Sequence, residues 1–176
     1  MTSSSTPGLA RFNAAGEQKA RSALHEICAS TAWANDILTG RPYRDAEELL
    51  TASDAAVARL GAADLAEAMA GHPPIGRPAP GDLVSSREQR GMAGAPEELR
   101  AEMLGLNLAY QERFGHVFLI CATGLTAAQM RDAIRNRIDN SPEREREIVR
   151  GELGRINRIR LARLAVQHAG EGAGRP

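Results

Sequence analysis

Between Gly71 and Gly81 the chain cannot be helical: Pro73, Pro74, Pro78 and Pro80 each lack a backbone donor, and Gly71, Gly76 and Gly81 lack a side chain to restrict them. Each proline also pushes the residue before it out of the helical region, so this stretch is predicted to be a loop held in a few extended conformations. The sequence on either side has the opposite character. Ala, Leu, Glu and Arg dominate there, and aromatic residues make up only 3% of the 176, which favours helices over strands wherever packing does not decide. The expected fold class is all-α, a single compact domain of about six to eight helices built around the Pro/Gly-rich loop.

Hydrophobic periodicity places the elements. Leu24, Ile27 and Cys28 form the inner stripe of a first helix over 15–29, and Trp33, in or just beyond its last turns, is a core anchor. Leu49, Leu50 and Val57 mark a second helix over 45–59, and Leu65 and Met69 a third over 62–70, punctuated by Gly61 and Gly71. Beyond the loop, Leu99, Met103, Leu106 and Tyr110 recur at helical spacing over 96–114, with Pro96 as an N-terminal helical residue. Thr126 with Gln129, and Ser141 before Pro142 and Glu143, start two further helices, over 126–138 and 142–168. Val117 to Cys121 has strand character but no partner strand, and reads as a buried extended turn. The Ser/Thr-rich start and the Gly-rich end bury nothing, so residues 9–169 are expected to fold and residues 1–8 and 170–176 to be flexible tails.

Several function classes drop out. Lys and Arg number 22, as do Asp and Glu, so no global field draws the chain to nucleic acid or to an anionic membrane. No apolar run approaches the ~18 to 20 residues of a bilayer span, and no basic-then-apolar leader is present, so a cytoplasmic protein with no membrane partner is expected. Cys28 and Cys121 are far apart and form no CxxC unit, which fits a reduced interior. His25, His72, His116 and His168 show no metal-ligand spacing, and no phosphate-binding glycine loop appears, so neither a metal nor a nucleotide cofactor is expected. A GxSxG elbow is absent, and Cys121 sits in an apolar run that does not activate a thiol, which disfavours covalent catalysis.

Three polar features remain. His72 stands where a helix ends and Pro73 begins a stiff bend, so its imidazole is either presented from a rigid loop or satisfies the last helical carbonyls. Ser85, Ser86, Arg87, Glu88 and Gln89 place two hydroxyls, a carboxylate and an amide within about one turn of a short helix. Such a cluster suits a polar ligand, yet Ser85 with Glu88, or Ser86 with Gln89, also satisfies the capping-box pattern. In the last helix Leu153, Ile156 and Leu164 mark an inner stripe on which Arg160 falls, with Arg163 close by. A buried guanidinium needs an internal carboxylate or a bound anion, unless it snorkels to solvent.

Together with their neighbours these features resemble one family, 2-oxo-4-hydroxy-4-carboxy-5-ureidoimidazoline (OHCU) decarboxylase, the last enzyme of the route from urate to (S)-allantoin. The resemblance runs from Phe12-Asn13 and Trp33 through His72-Pro73-Pro74-Ile75-Gly76 and Ser86-Arg87-Glu88-Gln89 to Asn107, Tyr110 and Arg113-Phe114-Gly115. It ends with Phe118-Leu119-Ile120-Cys121-Ala122-Thr123-Gly124 and Arg160-Leu161. It implies an all-helical, cofactor-free and metal-free carboxy-lyase acting on a small-molecule substrate, commonly a homodimer. Urate-pathway enzymes are candidate partners. The family's catalytic histidine matches His72 and its acidic partner Glu88. Its substrate-contacting positions match Pro73, Ser85, Ser86, Arg87, Glu88, Gln89, Phe118, Leu119, Ile120, Cys121, Ala122 and Arg160. Pro74 stands where many relatives carry Arg, and His116 where an apolar or aromatic residue is common.

Two other readings share these residues. A non-enzymatic helical interaction module would use His72 and Ser85 to Gln89 as caps and Arg160 as an internal ion-pair member. A hydrolase or isomerase acting on another ureide would keep the polar residues and change the leaving group.

Overall fold

The computed structural model describes residues 6–167. Among these the chain is all-helical as expected, with nine α-helices, one 3₁₀ turn and no strand. It forms two compact units: one holds the residues up to Glu67 and those from Gly154 onward, the other Ala68–Leu153.

The first unit contains α1 (Pro7–Ala14), α2 (Glu17–Ile27), α3 (Thr31–Thr39), α4 (Ala46–Arg59), most of α5 (Ala62–Ala70) and the C-terminal part of α9 (Pro142–Val166). The helix expected over 15–29 is α2, two residues shorter at each end, and Trp33 lies on a separate helix, α3. Ser30 accepts the Trp33 backbone N–H at 3.3 Å and starts α3, a cap that competes successfully with continuation of the preceding helix. Trp33 is the core anchor expected of it: fully buried, with Nε1 donating to Ser53 Oγ on α4 at 3.1 Å.

The expected N-terminal tail needs correction, because Pro7 and Gly8 already belong to α1 and Gly8 is buried. Proline at the first helical position is pre-set for the helix. Gly8 lies so close to the Leu164 and Ala165 carbonyls that any side chain would collide with them. The glycine that reads as chain freedom is there for close backbone approach. The remainder of both expected tails, residues 1–5 and 170–176, lies outside the described residues.

The second unit contains the end of α5, the loop after it, α6 (Leu83–Glu88), a 3₁₀ turn (Arg90–Met92), α7 (Glu97–Phe114), α8 (Ala127–Arg137) and the first part of α9. Its apolar core gathers Ile75, Met92, Met103, Tyr110, Phe118, Met130 and Ile134. The helix ends follow their local chemistry. Thr126 and Gln129 form the predicted capping box of α8, and Gly115, at φ +76°, ends α7 in the left-handed conformation that glycine adopts without strain. Pro96 is the residue before α7 rather than within it.

One buried ion pair ties this unit together. Arg137, at the end of α8, directs Nε and Nη2 to Glu145 Oε1 on α9 at 2.8 and 2.5 Å. The Tyr110 hydroxyl on α7 donates to the same oxygen at 2.5 Å, and Asn140 Nδ2 donates to Oε2 at 2.9 Å. Glu145 is 0% exposed. Burial alone would raise its pKa, but the hydrogen bonds from Arg137, Asn140 and Tyr110 outweigh that and hold the carboxyl below its ordinary value. The Tyr110 hydroxyl is pushed well up, first by burial and then by the carboxylate beside it.

Candidate functional site

His72 stands beyond α5, after Gly71, with its backbone N–H donating to the Met69 carbonyl at 3.0 Å. Pro73 prevents another turn from forming, and the His72 side chain is left half-buried. The loop beyond is fixed in place. Gln89 Oε1 accepts the Gly76 N–H at 2.8 Å and Gln89 Nε2 donates to the Pro74 carbonyl at 3.4 Å. Asn107 on α7 donates Nδ2 to the intervening Ile75 carbonyl at 2.9 Å, while the Ile75 side chain enters the core. Three consecutive loop residues are thus held by two buried amides and one apolar anchor.

The cap of α6 is Asp82, which accepts the Ser85 N–H at 2.9 Å. The alternative reading of Ser85 or Ser86 as the cap is therefore corrected: the cap lies three residues before Ser85, and the helix begins at Leu83. Ser85 and Glu88 in the helix and Gln89, its C-cap, are 4%, 8% and 7% exposed, while Ser86 and Arg87 face solvent. Spacings of three and four residues produce this division. A carboxylate as buried as Glu88 is tolerated only with polar company. Gln89 keeps one amide hydrogen and one oxygen lone pair beyond its two loop contacts, so holding the loop and meeting a ligand are compatible roles.

The segment from Val117 to Ala122, expected to be a buried extended turn, runs without turn or bend and without a strand partner, with Phe118, Leu119 and Ala122 buried and Ile120 and Cys121 half-buried. The Phe118 ring belongs to the core, edge-on to Tyr110 at 5.2 Å and beneath the Arg137 guanidinium at 4.5 Å. Two backbone groups of the segment are engaged. Arg137 Nη1 donates to the Leu119 carbonyl and the Cys121 N–H donates to Glu152 Oε2, both at 2.8 Å. His116 packs as an aromatic, stacked on Phe114 and edge-on to Tyr110.

His72, Pro73, Ser85 to Gln89 and Phe118 to Ala122 all lie in the second unit, whereas Arg160 and Arg163 lie in the first. Arg160 is half-buried, and its Nη1 donates to the Ile27 carbonyl at the end of α2 at 2.8 Å. A helix C-terminal carbonyl, with its partial negative charge, thus takes one arm of the guanidinium for which a carboxylate or bound anion was expected. Cys28, in the same unit, is buried, and burial pushes its thiol pKa up.

Sequence reasoning missed the residues that hold the site. Arg137 follows Met130 and Ile134 on the inner stripe of α8, and Glu145 precedes Val149 and Leu153 on that of α9. Opposite charges on two apolar stripes were the available signal. If Gln89 fixes the loop, Gln89→Ala should speed hydrogen exchange at the Gly76 amide by at least about tenfold, the equivalent of about 1.4 kcal/mol of lost local protection. Unchanged protection at that amide would show that the loop is held without it.

The second unit thus carries an imidazole at the start of a stiffened loop and a buried carboxylate and amide at the end of α6, groups of the kind that acid–base chemistry on a small polar molecule requires. The chain is a member of the OHCU decarboxylase family, whose model matches residues 13–162. It is 32% identical over 144 residues to the uric acid degradation bifunctional protein TTL of Arabidopsis thaliana, an alignment covering 78% of this chain and 44% of that protein. The chain therefore spans less than half the length of that relative. Among solved structures it is similar to an OHCU decarboxylase crystallised in the presence of (S)-allantoin, at 27% identity and a TM-score of 0.75, over 87% of this chain and 100% of the other. A structure of (S)-allantoin synthase shares the fold, at 16% identity and a TM-score of 0.66, over 89% of this chain and 53% of that one.

Proposed function

We propose that this chain decarboxylates 2-oxo-4-hydroxy-4-carboxy-5-ureidoimidazoline without a cofactor and protonates the product on one face to give (S)-allantoin. The observation that carries this reading is the grip of Gln89 on Pro74 and Gly76, which ties the loop starting at His72 to the helix whose inner face bears Glu88. Family membership supplies the substrate.

The chemistry suits such a site. When the bond from ring carbon to carboxylate breaks, its electron pair passes into the adjacent C=N bond of the ring, so the substrate is its own electron sink. The protein then has two tasks, orientation and proton control. The ring nitrogen that receives the pair takes a proton from solvent, while His72 takes the proton of the substrate hydroxyl as the ring carbonyl forms and returns it to the carbon bearing the ureido group. Glu88 orients the imidazole and favours its protonated form. Ser85 and the unused valences of Gln89 meet ureido and ring amide groups, with Pro73 and the segment Phe118 to Ala122 as walls. Ser86 and Arg87, on the outer face of α6, act at the entrance.

A cytoplasmic homodimer accompanies this reading, with urate-pathway enzymes as further partners. Leu104 and Leu108, exposed one turn apart on α7, are apolar surface available to such an interface. No helix among the described residues is long and apolar enough to cross a membrane. The test is carbon dioxide release from freshly generated substrate with and without protein. Release accelerated in proportion to protein concentration is expected. Ureide consumption without carbon dioxide would favour a hydrolase or isomerase, and no acceleration would remove the enzymatic reading.

A further inference from the structure

Building on the proposed activity, we infer that Arg137 and Glu152 are positioning residues that set the backbone of Phe118 to Ala122 for substrate binding. This segment has no regular secondary structure, so its backbone polar groups need partners from elsewhere. Two come from charged side chains: the Arg137 guanidinium on the Leu119 carbonyl and the Glu152 carboxylate on the Cys121 N–H, both at 2.8 Å. Charge-assisted bonds of this kind are roughly twice as strong as neutral ones. Leu119 and Cys121 are each fastened to a different helix, α8 and α9, and Ile120 is held between them. Arg137 is itself immobilised, by its two bonds to Glu145 and by the Phe118 ring beneath it. These contacts are independent of those by which Gln89 and Asn107 hold the His72 loop. Disturbing them should impair substrate binding and leave proton transfer largely intact.

The experiment is steady-state kinetics on Arg137→Lys, Glu152→Ala and Glu152→Gln, with melting curves for each. Lysine keeps the charge facing Glu145 but cannot reproduce the planar fork that reaches Glu145 and Leu119 together. Glutamine keeps an acceptor for the Cys121 N–H; alanine does not. Arg137→Lys and Glu152→Ala are expected to raise KM at least about tenfold with kcat within about threefold of wild type, and Glu152→Gln to restore KM to within about threefold. A purely structural role would lower the melting temperature and leave the KM of the folded protein unchanged. Should Arg137→Lys not fold, the contrast between alanine and glutamine at 152 decides. Active wild type with unaltered KM in the folded variants would overturn the positioning role alone. Wild type that releases no carbon dioxide would overturn the decarboxylase reading, and this inference with it.

Discussion

His72→Gln is expected to lower turnover at least about a hundredfold while the melting temperature stays within a few degrees of wild type. General acid–base groups contribute typically 10² to 10⁴ in rate, and glutamine matches the polarity and approximate size of histidine but has no proton to exchange near neutral pH. The fold should persist because the loop has several anchors that do not involve the imidazole. The His72 backbone N–H still reaches the Met69 carbonyl, and Pro74, Ile75 and Gly76 remain pinned by Gln89, Asn107 and the core. Near-normal decarboxylation by a well-folded variant would remove His72 as the proton carrier. Loss of both activity and cooperative melting would show that its role is structural.

Arg137→Leu should destabilise the protein by about 3–5 kcal/mol at pH 7, because it leaves the fully buried Glu145 carboxylate without its cation. The pH dependence gives a sharper test. In wild type the carboxyl of Glu145 titrates below its ordinary value. Its contribution to stability is thus present above the unfolded-state pKa of about 4.3 and is lost as pH falls through the lower folded value. Without Arg137 the sign reverses: burial raises the folded pKa, and the penalty is largest when the group is charged and fades as acid neutralises it. The gap in stability between wild type and variant, from urea unfolding, should narrow between pH 7 and pH 4. Adding Glu145→Gln to Arg137→Leu should recover part of the loss at pH 7. A gap independent of pH would mean that the penalty comes from packing around Phe118 rather than from the stranded charge.

Where the chain must bend and which stretches wind were largely legible in the sequence, because periodicity and caps are local signals. The helices over 46–59, 62–70, 97–114 and 127–137 all fall within a residue or two of expectation, and the capping box at Thr126 is present as read. The misses have physical reasons as well. α1 and α3 are each too short to show a full stripe, and Gly8 in α1 owes its place to a backbone approach by residues more than 150 positions away. Asp82 outranks the serines as cap of α6, so hydroxyls that read as helix-start chemistry lie inside the helix. In the site, the loop and the inner face of α6 could be read from residue types and spacing. The grip of Gln89, Asn107, Arg137 and Glu152 on specific backbone atoms could not, because such bonds join positions 13 to 32 residues apart and depend on how the helices pack.

The central claim is that this fold steers a decarboxylation to one face of its product, and circular dichroism of that product tests it most directly. Freshly generated substrate left to decay alone accepts a proton on either face of a planar intermediate and should give allantoin with no net optical signal. With catalytic amounts of the protein, the signal of (S)-allantoin should rise at the same rate as carbon dioxide is released. Racemic product formed at the uncatalysed rate, whatever the protein concentration, would contradict the account.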